Sequence, residues 1–127
     1  MNIITTDRID IIPINNIVKI NFYIILRDGD EVELGNIDII PDIGVNFYKT
    51  LFYGELIDIM NDMLADSDGP FNDLLIEFIS NQNIIYLYKT RIYYHYMTNN
   101  LGEVNVYNLY QQNWVIELDN LLDTLIF

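Results

Sequence analysis

The chain has 127 residues, with six Lys and Arg against nineteen Asp and Glu, a net charge of −13, one histidine and no cysteine. This length supports one compact domain, residues 1–127, and an apolar content of 51% excludes a disordered chain despite the charge. Thiol nucleophiles, disulfides, iron–sulfur clusters and cysteine zinc sites are excluded, and the lone His95 removes His–His metal pairs.

Taken in chain order, the first fifteen residues are expected to add an edge strand, with Pro13 confining it to the border of a sheet. Residues 17–26 alternate: Val18, Ile20, Phe22, Ile24 and Leu26 on one face, Lys19, Asn21, Tyr23 and Arg27 on the other. A period of two is the signature of a half-buried strand. Asp28-Gly29 then predicts a hairpin. The return strand carries Val32, Leu34, Ile37 and Ile39, with a slip in parity at Gly35-Asn36 that predicts a β-bulge, and Pro41 ends it. Over 46–65, Tyr48, Phe52, Leu56, Ile59 or Met60, and Met63 recur at helical spacing, with Asn46 as N-cap and Asp66-Ser67-Asp68-Gly69-Pro70 as the stop. A second helix is expected over 71–80, where Leu74, Leu75, Ile76, Phe78 and Ile79 are apolar almost all round. Strands follow at 84–89, 91–98 and 103–110, the last two joined by a turn at Asn99-Asn100-Leu101-Gly102. A closing helix covers 114–126 through Leu118, Leu121, Leu122 and Leu125. The order β-β-α-α-β-β-β-α predicts an α+β fold: an antiparallel sheet of about five strands with helices on one face.

No cationic segment followed by a long apolar run opens the chain, and the greasiest stretch is about half the ~20 residues of a membrane helix. The expectation is a cytoplasmic protein with no membrane contact. Ile and Asn number 23 and 16, which points to an A/T-rich bacterial or phage genome. Lys codons are also A-rich, yet only Lys19, Lys49 and Lys89 occur. Scarcity of cations is therefore not compositional drift.

Between Lys49 and Lys89 there is no Lys, Arg or His, but Glu55, Asp58, Asp62, Asp66, Asp68, Asp73 and Glu77. Glu55, Asp58, Asp62 and Asp66 step by three, four and four, which aligns them on one side of the predicted helix. Like charges four apart destabilise a helix by about 0.2–0.5 kcal/mol per pair. Anions near a helix C-terminus also oppose its dipole. A solvated face on an acidic protein and a surface made for a cationic partner both fit this pattern. Nucleic acid and anionic lipid are repelled by such a field, whereas a basic protein is steered towards it.

Seven of ten tyrosines fall between Tyr86 and Tyr110. As strand residues, Tyr86 and Tyr88 share one face, as do Tyr94 and Tyr96, with Tyr93, His95 and Met97 opposite. Strand packing accounts for at least half of these rings, and exposed ones are protein-contact candidates. Other chemistry finds no support. His95 has no nucleophile motif to serve, and the loops at 28–31 and 66–69 fail the calcium-loop pattern. No glycine loop cradles phosphate. No cofactor and no metal are expected.

In size, acidity, absence of cysteine and mixed α/β pattern, the chain resembles the immunity proteins that neutralise bacterial nuclease toxins; the resemblance is one of general character and rests on no motif. It implies a non-enzymatic inhibitor whose partner is a basic nuclease toxin. The expected contact residues are Glu55, Asp58, Asp62, Asp66, Asp68 and Asp73, with Tyr86, Tyr88, Tyr94 and Tyr96 as aromatic anchors. The alternatives are a phage-encoded nucleic-acid mimic that inhibits a defence nuclease, a small-ligand binder using His95, and a structural subunit.

Overall fold

The computed structural model describes residues 1–39, 45–66 and 69–124, the side chains of 45–48, 50 and 66 excepted. Five strands, β1 (Asn2–Thr6), β2 (Ile17–Ile25), β3 (Glu31–Asp38), β4 (Phe71–Ser80) and β5 (Ile84–Tyr93), form one sheet in the order β1-β5-β4-β2-β3. β2, β3, β4 and β5 pair antiparallel, and β1 joins the edge of β5 in parallel. Helix α1 (Val45–Asp66) lies between β3 and β4 in the chain, and α2 (Val106–Leu109) and α3 (Asn113–Asp123) follow β5. The fold is α+β, with a mixed, mostly antiparallel sheet and its helices packed against it.

The β2–β3 hairpin forms where Asp28-Gly29 predicts it. Gly29 adopts φ +93°, its N–H donates to the Leu26 carbonyl at 3.0 Å, and the Asp28 carboxylate accepts the Asp30 N–H at 2.9 Å. The bulge also forms, one position earlier than the parity slip suggests. Phe22 pairs with Gly35 and Tyr23 with Glu33, so Leu34 is the extra residue and turns into the core. Gly35 sits at φ +152°, and a Cβ there would lie 3.3 Å from the Phe52 ring. Bulge and helix thus meet at a point that only glycine fits.

Three predicted elements are corrected, so the observed order is β-β-β-α-β-β-α-α. Residues 71–80 are a strand, not a helix: Asn72, Leu74, Ile76, Phe78 and Ser80 are buried, while the residues between them are half-buried. β4 is the central strand, and its second face also carries apolar side chains. Period two is hidden by that continuous apolar run. The predicted strands at 84–89 and 91–98 are one strand, held through Thr90 by unbroken pairing with β4, which ends at Tyr93 in a 3₁₀ turn over Tyr94–Tyr96. Residues 103–110 do not form a strand. Val104 makes only an isolated bridge to Thr98, and its backbone is taken by Asn61 of α1. The Asn61 Oδ1 accepts the Val104 N–H at 2.8 Å, and its Nδ2 donates to the Val104 carbonyl at 3.3 Å. Asn105 then caps α2, its side chain accepting the Asn108 N–H at 2.8 Å. The N-terminal edge strand is present as β1, but Pro13 lies outside it, between two 3₁₀ turns over Ile9–Ile11 and Ile14–Asn16. The proposed N-cap side chain of Asn46 and the stop at Pro41 fall outside what is described.

The core lies between the inner sheet face and the helices. Ile20, Phe22, Ile24, Leu74, Ile76 and Phe78 meet Phe52, Tyr53, Leu56 and Met60 of α1 and Trp114, Val115, Leu118 and Leu122 of α3. Phe22 joins both helices, its ring centroid 4.5 Å from Phe52 and 6.5 Å from Trp114. The helices are also tied to one another: Tyr53 donates its hydroxyl proton to Asp119 at 2.8 Å, and Lys49 donates to Asp123 at 2.6 Å. No helix among the described residues is long and apolar enough to cross a membrane.

Two outcomes follow. Asn61→Ala leaves the Val104 backbone unsatisfied and is expected to reduce stability by about 1–3 kcal/mol in urea denaturation, with Asn61→Asp recovering part of the loss through its retained acceptor. The Tyr53 phenol is held far above its ordinary value of 10.0, first by burial and then by the Asp119 charge; burial is also the first cause of upward shifts at Tyr88, Tyr94 and Tyr110. Below about pH 10 both states keep these protons and the stabilisation is fully present. Above it the unfolded chain releases protons that the folded chain retains, and each such group lowers stability by up to ~1.4 kcal/mol per pH unit. The melting temperature should therefore fall steeply between pH 9 and 11, and less steeply in Tyr53→Phe.

Candidate partner-binding surface

Helix α1 buries Phe52, Tyr53, Leu56 and Met60 and leaves Leu51, Gly54, Glu55, Asp58 and Asp62 exposed. The recurrence that makes the inner stripe also makes the outer one, so Glu55, Asp58 and Asp62 follow one another along the solvent side over about 10 Å of helix rise. None of the three has an ion pair among the described residues. The nearby cation in the sequence, Lys49, is committed elsewhere: its Nζ lies 2.6 Å from Asp123 and 3.8 Å from Asp119, and its side chain is only 12% exposed. The Asp66 side chain and all of Asp68 lie outside what is described.

Asp73 does not belong to this ridge. It projects from β4 on the sheet face opposite the helices, 3.2 Å from Arg91 and 3.7 Å from Lys89. Two cations beside one carboxylate cancel its contribution to an anionic surface. The misplacement traces to the expected helix over 71–80, which turned out to be a strand.

The tyrosines separate in the same way. Tyr88 and Tyr94 are core residues, 7% and 2% exposed, and the Tyr94 hydroxyl accepts the Asn72 Nδ2–H at 2.6 Å. Neither can anchor a partner in this structure, because both face the helices. Tyr86 is half-buried on the same inner face. Tyr96 is 62% exposed, because the 3₁₀ turn rotates it away from Tyr94. It stacks against His95 at 4.0 Å and meets Tyr93 edge-on at 5.8 Å. Tyr93 in turn contacts Phe71 at 5.7 Å, and the Arg91 guanidinium lies 4.1 Å over the Phe71 ring. This exposed aromatic cluster at the end of β4 and β5 was not legible in the sequence, because strand alternation does not extend through a 3₁₀ turn.

His95 borders an open, largely apolar groove of about 340 Å³ between the C-terminal end of α1 and the 98–102 turn, lined also by Leu64, Pro70, Tyr94 and Thr98. Among the described residues no carboxylate lines it. Among the described residues no group of three or more His, Asp or Glu is placed to hold a metal ion. No protein-family model, curated protein or solved structure gives a significant match to the chain.

The exposed ridge is a strained arrangement, and its relief is measurable. Asp58→Asn with Asp62→Asn removes two i,i+4 acidic pairs in the sequence, 58/62 and 62/66, and two carboxylates from the C-terminal half of α1, so stability should rise by roughly 0.5 kcal/mol. A melting temperature higher by about 2 °C at low ionic strength, with the gain shrinking in high salt, is the expected result.

Proposed function

We propose that this protein is a non-enzymatic acidic binding protein that captures a basic protein through α1, with a nuclease toxin as the partner whose cationic groove best suits it. The observation that carries this reading is the row of Glu55, Asp58 and Asp62, exposed and without counter-ions among the described residues, in a chain whose nearby Lys49 is drawn to α3 instead. An anionic ridge on a rigid helix raises the encounter rate with a cationic surface, and the compensating charge comes from the partner on binding. A nuclease needs a cationic groove to hold phosphates, so the same feature that binds its substrate would bind this helix. The resemblance to immunity proteins in size and acidity supports the same direction.

The contact set is correspondingly narrower than the sequence suggests. Glu55, Asp58 and Asp62 form its centre, with Asp66 and Asp68 continuing the ridge in sequence. Tyr96 and Tyr107, 62% and 72% exposed, are among the described residues the most exposed aromatic side chains.

The test is capture of a basic protein from a bacterial extract at about 50 mM salt, followed by association kinetics with the purified partner. Steering predicts that k_on falls at least about tenfold on going to 0.5 M salt, and that Glu55→Gln with Asp58→Asn and Asp62→Asn reproduces much of that fall without salt. A k_on indifferent to both would remove the basis of the reading.

A further inference from the structure

We propose that the free edge of β1 is a homodimer interface, at which β1 of a second copy of this chain pairs antiparallel and extends the sheet. Among the described residues β1 is paired on one side only, in parallel with β5. The Asn2 N–H donates to the Asn83 carbonyl at 3.1 Å, and in a parallel ladder every second residue bonds the same neighbour. Asn2, Ile4 and Thr6 therefore face β5, and the N–H and C=O groups of Ile3 and Thr5 point to the open edge. An edge is normally blunted by charge, proline or a bulge. At the opposite edge of the sheet, β3 carries Glu31, Glu33 and Asp38 and a bulge at Leu34. β1 has no charge, no proline and no bulge, and its Ile3 and Ile4 are 63% and 42% exposed.

Packing and register select a second copy as the occupant. Ile37, Ile20, Phe78, Tyr86 and Ile4 stand side by side on the inner face of the sheet, one from each strand. The first three are buried, Tyr86 is half-buried and Ile4 is open. The apolar row thus runs out of the core at β1, and an apolar side chain on a strand beside Ile4 would continue it. With a two-fold axis at Ile4, Ile4 of the second copy takes that place. Ile3 then pairs with Thr5 of the other copy, twice by symmetry, and each pair exchanges both of its bonds. Every outward N–H and C=O of the two β1 strands is satisfied in this one register. Ile4 faces its symmetry mate as the closer, non-hydrogen-bonded pair.

Charge permits this contact where it opposes most others. A chain of −13 repels its own copy, but residues 1–6 carry no ionisable side chain. The first acids beyond the strand, Asp7 in each copy, lie six residue steps apart along the paired strands, ~20 Å. Helix α1 packs on β3, at the other side of the sheet. In the order β3-β2-β4-β5-β1-β1-β5-β4-β2-β3, nine spacings of ~4.8 Å hold the two acidic ridges about 40 Å apart. That is several Debye lengths (~8 Å at physiological salt). A five-residue strand pair buries less than the ~1,200 Å² of a standard interface, so the dimer is a weak, concentration-dependent one. It leaves both ridges open and does not rest on the function proposed for them.

Analytical ultracentrifugation and amide hydrogen exchange by NMR, on the full chain from about 10 μM to about 1 mM in about 150 mM salt, test this. The mass should rise with concentration from 15.0 kDa towards twice that value, while the Ile3 and Thr5 amides become protected. Thr5→Pro removes an N–H that β5 does not use. The monomer keeps its β1–β5 ladder, checked by circular dichroism, and association should weaken at least about tenfold. Ile4→Lys places two like charges across the axis and should do the same. Leu101→Lys, at a position 81% exposed in the turn at 99–102, should leave association unchanged. A monomer throughout the range overturns the proposal and leaves the edge to a strand of another protein. So does a dimer that survives both β1 variants, or one whose formation leaves the Ile3 and Thr5 amides unprotected.

Discussion

Everything else in the fold hangs on the central position of β4. It is hydrogen-bonded along both edges, to β2 and to β5, so its ten residues set the register of a sheet whose other strands each depend on a neighbour. Leu74, Ile76 and Phe78 on its inner face complete the surface on which Phe22, Phe52 and Trp114 meet. The helices available cover only this side. Once that side is buried, the other face of the sheet must meet either water or another molecule.

The molecule is consequently divided into two surfaces of different character. On the helical side, α1 carries acids for which the described residues provide no counter-charge. On the sheet side, Lys19, Lys89 and Arg91 stand among half-buried apolar side chains, with Asp73 held by two of them and with Glu31, Glu33 and Asp38 of β3 on the same face. The interior joins the two through a small number of directional contacts, the Tyr53–Asp119 hydrogen bond and the Asn61 clamp on Val104 among them. The first ties α3 to α1, and the second satisfies backbone groups of Val104 that no strand partner takes.

Several elements were legible because one local rule decided them. Asp28-Gly29 made a hairpin, Gly35 permitted a bulge, and the apolar spacing from Phe52 to Met60 made a helix whose described bounds, Val45–Asp66, lie within one residue of those predicted. Where two rules competed, the local one lost. The apolar run at 71–80 satisfied helix and buried strand equally, and long-range pairing on both edges chose the strand. Val104 and its neighbours had strand composition, but a side-chain amide forty-three residues away took the backbone groups that a strand partner would have used. The tyrosines illustrate the same limit: Tyr94 and Tyr96 are two apart, yet one is in the core and the other in solvent, because the backbone changes from strand to 3₁₀ turn between Tyr93 and Tyr94.

By itself the sequence determined the fold class, the hairpin, the first helix, the absence of thiol chemistry and the anionic spacing on α1. Each of these depends on composition or on residues within about one turn or two of one another. Only the tertiary structure decided which acids stand together, since Asp73 lies on the opposite face from Glu55, Asp58 and Asp62, and which aromatics are exposed. It also decided that half of the cations gather on one uncovered sheet face. Those properties arise from strand order and register, and pairing between residues far apart in the chain is not encoded in any local period.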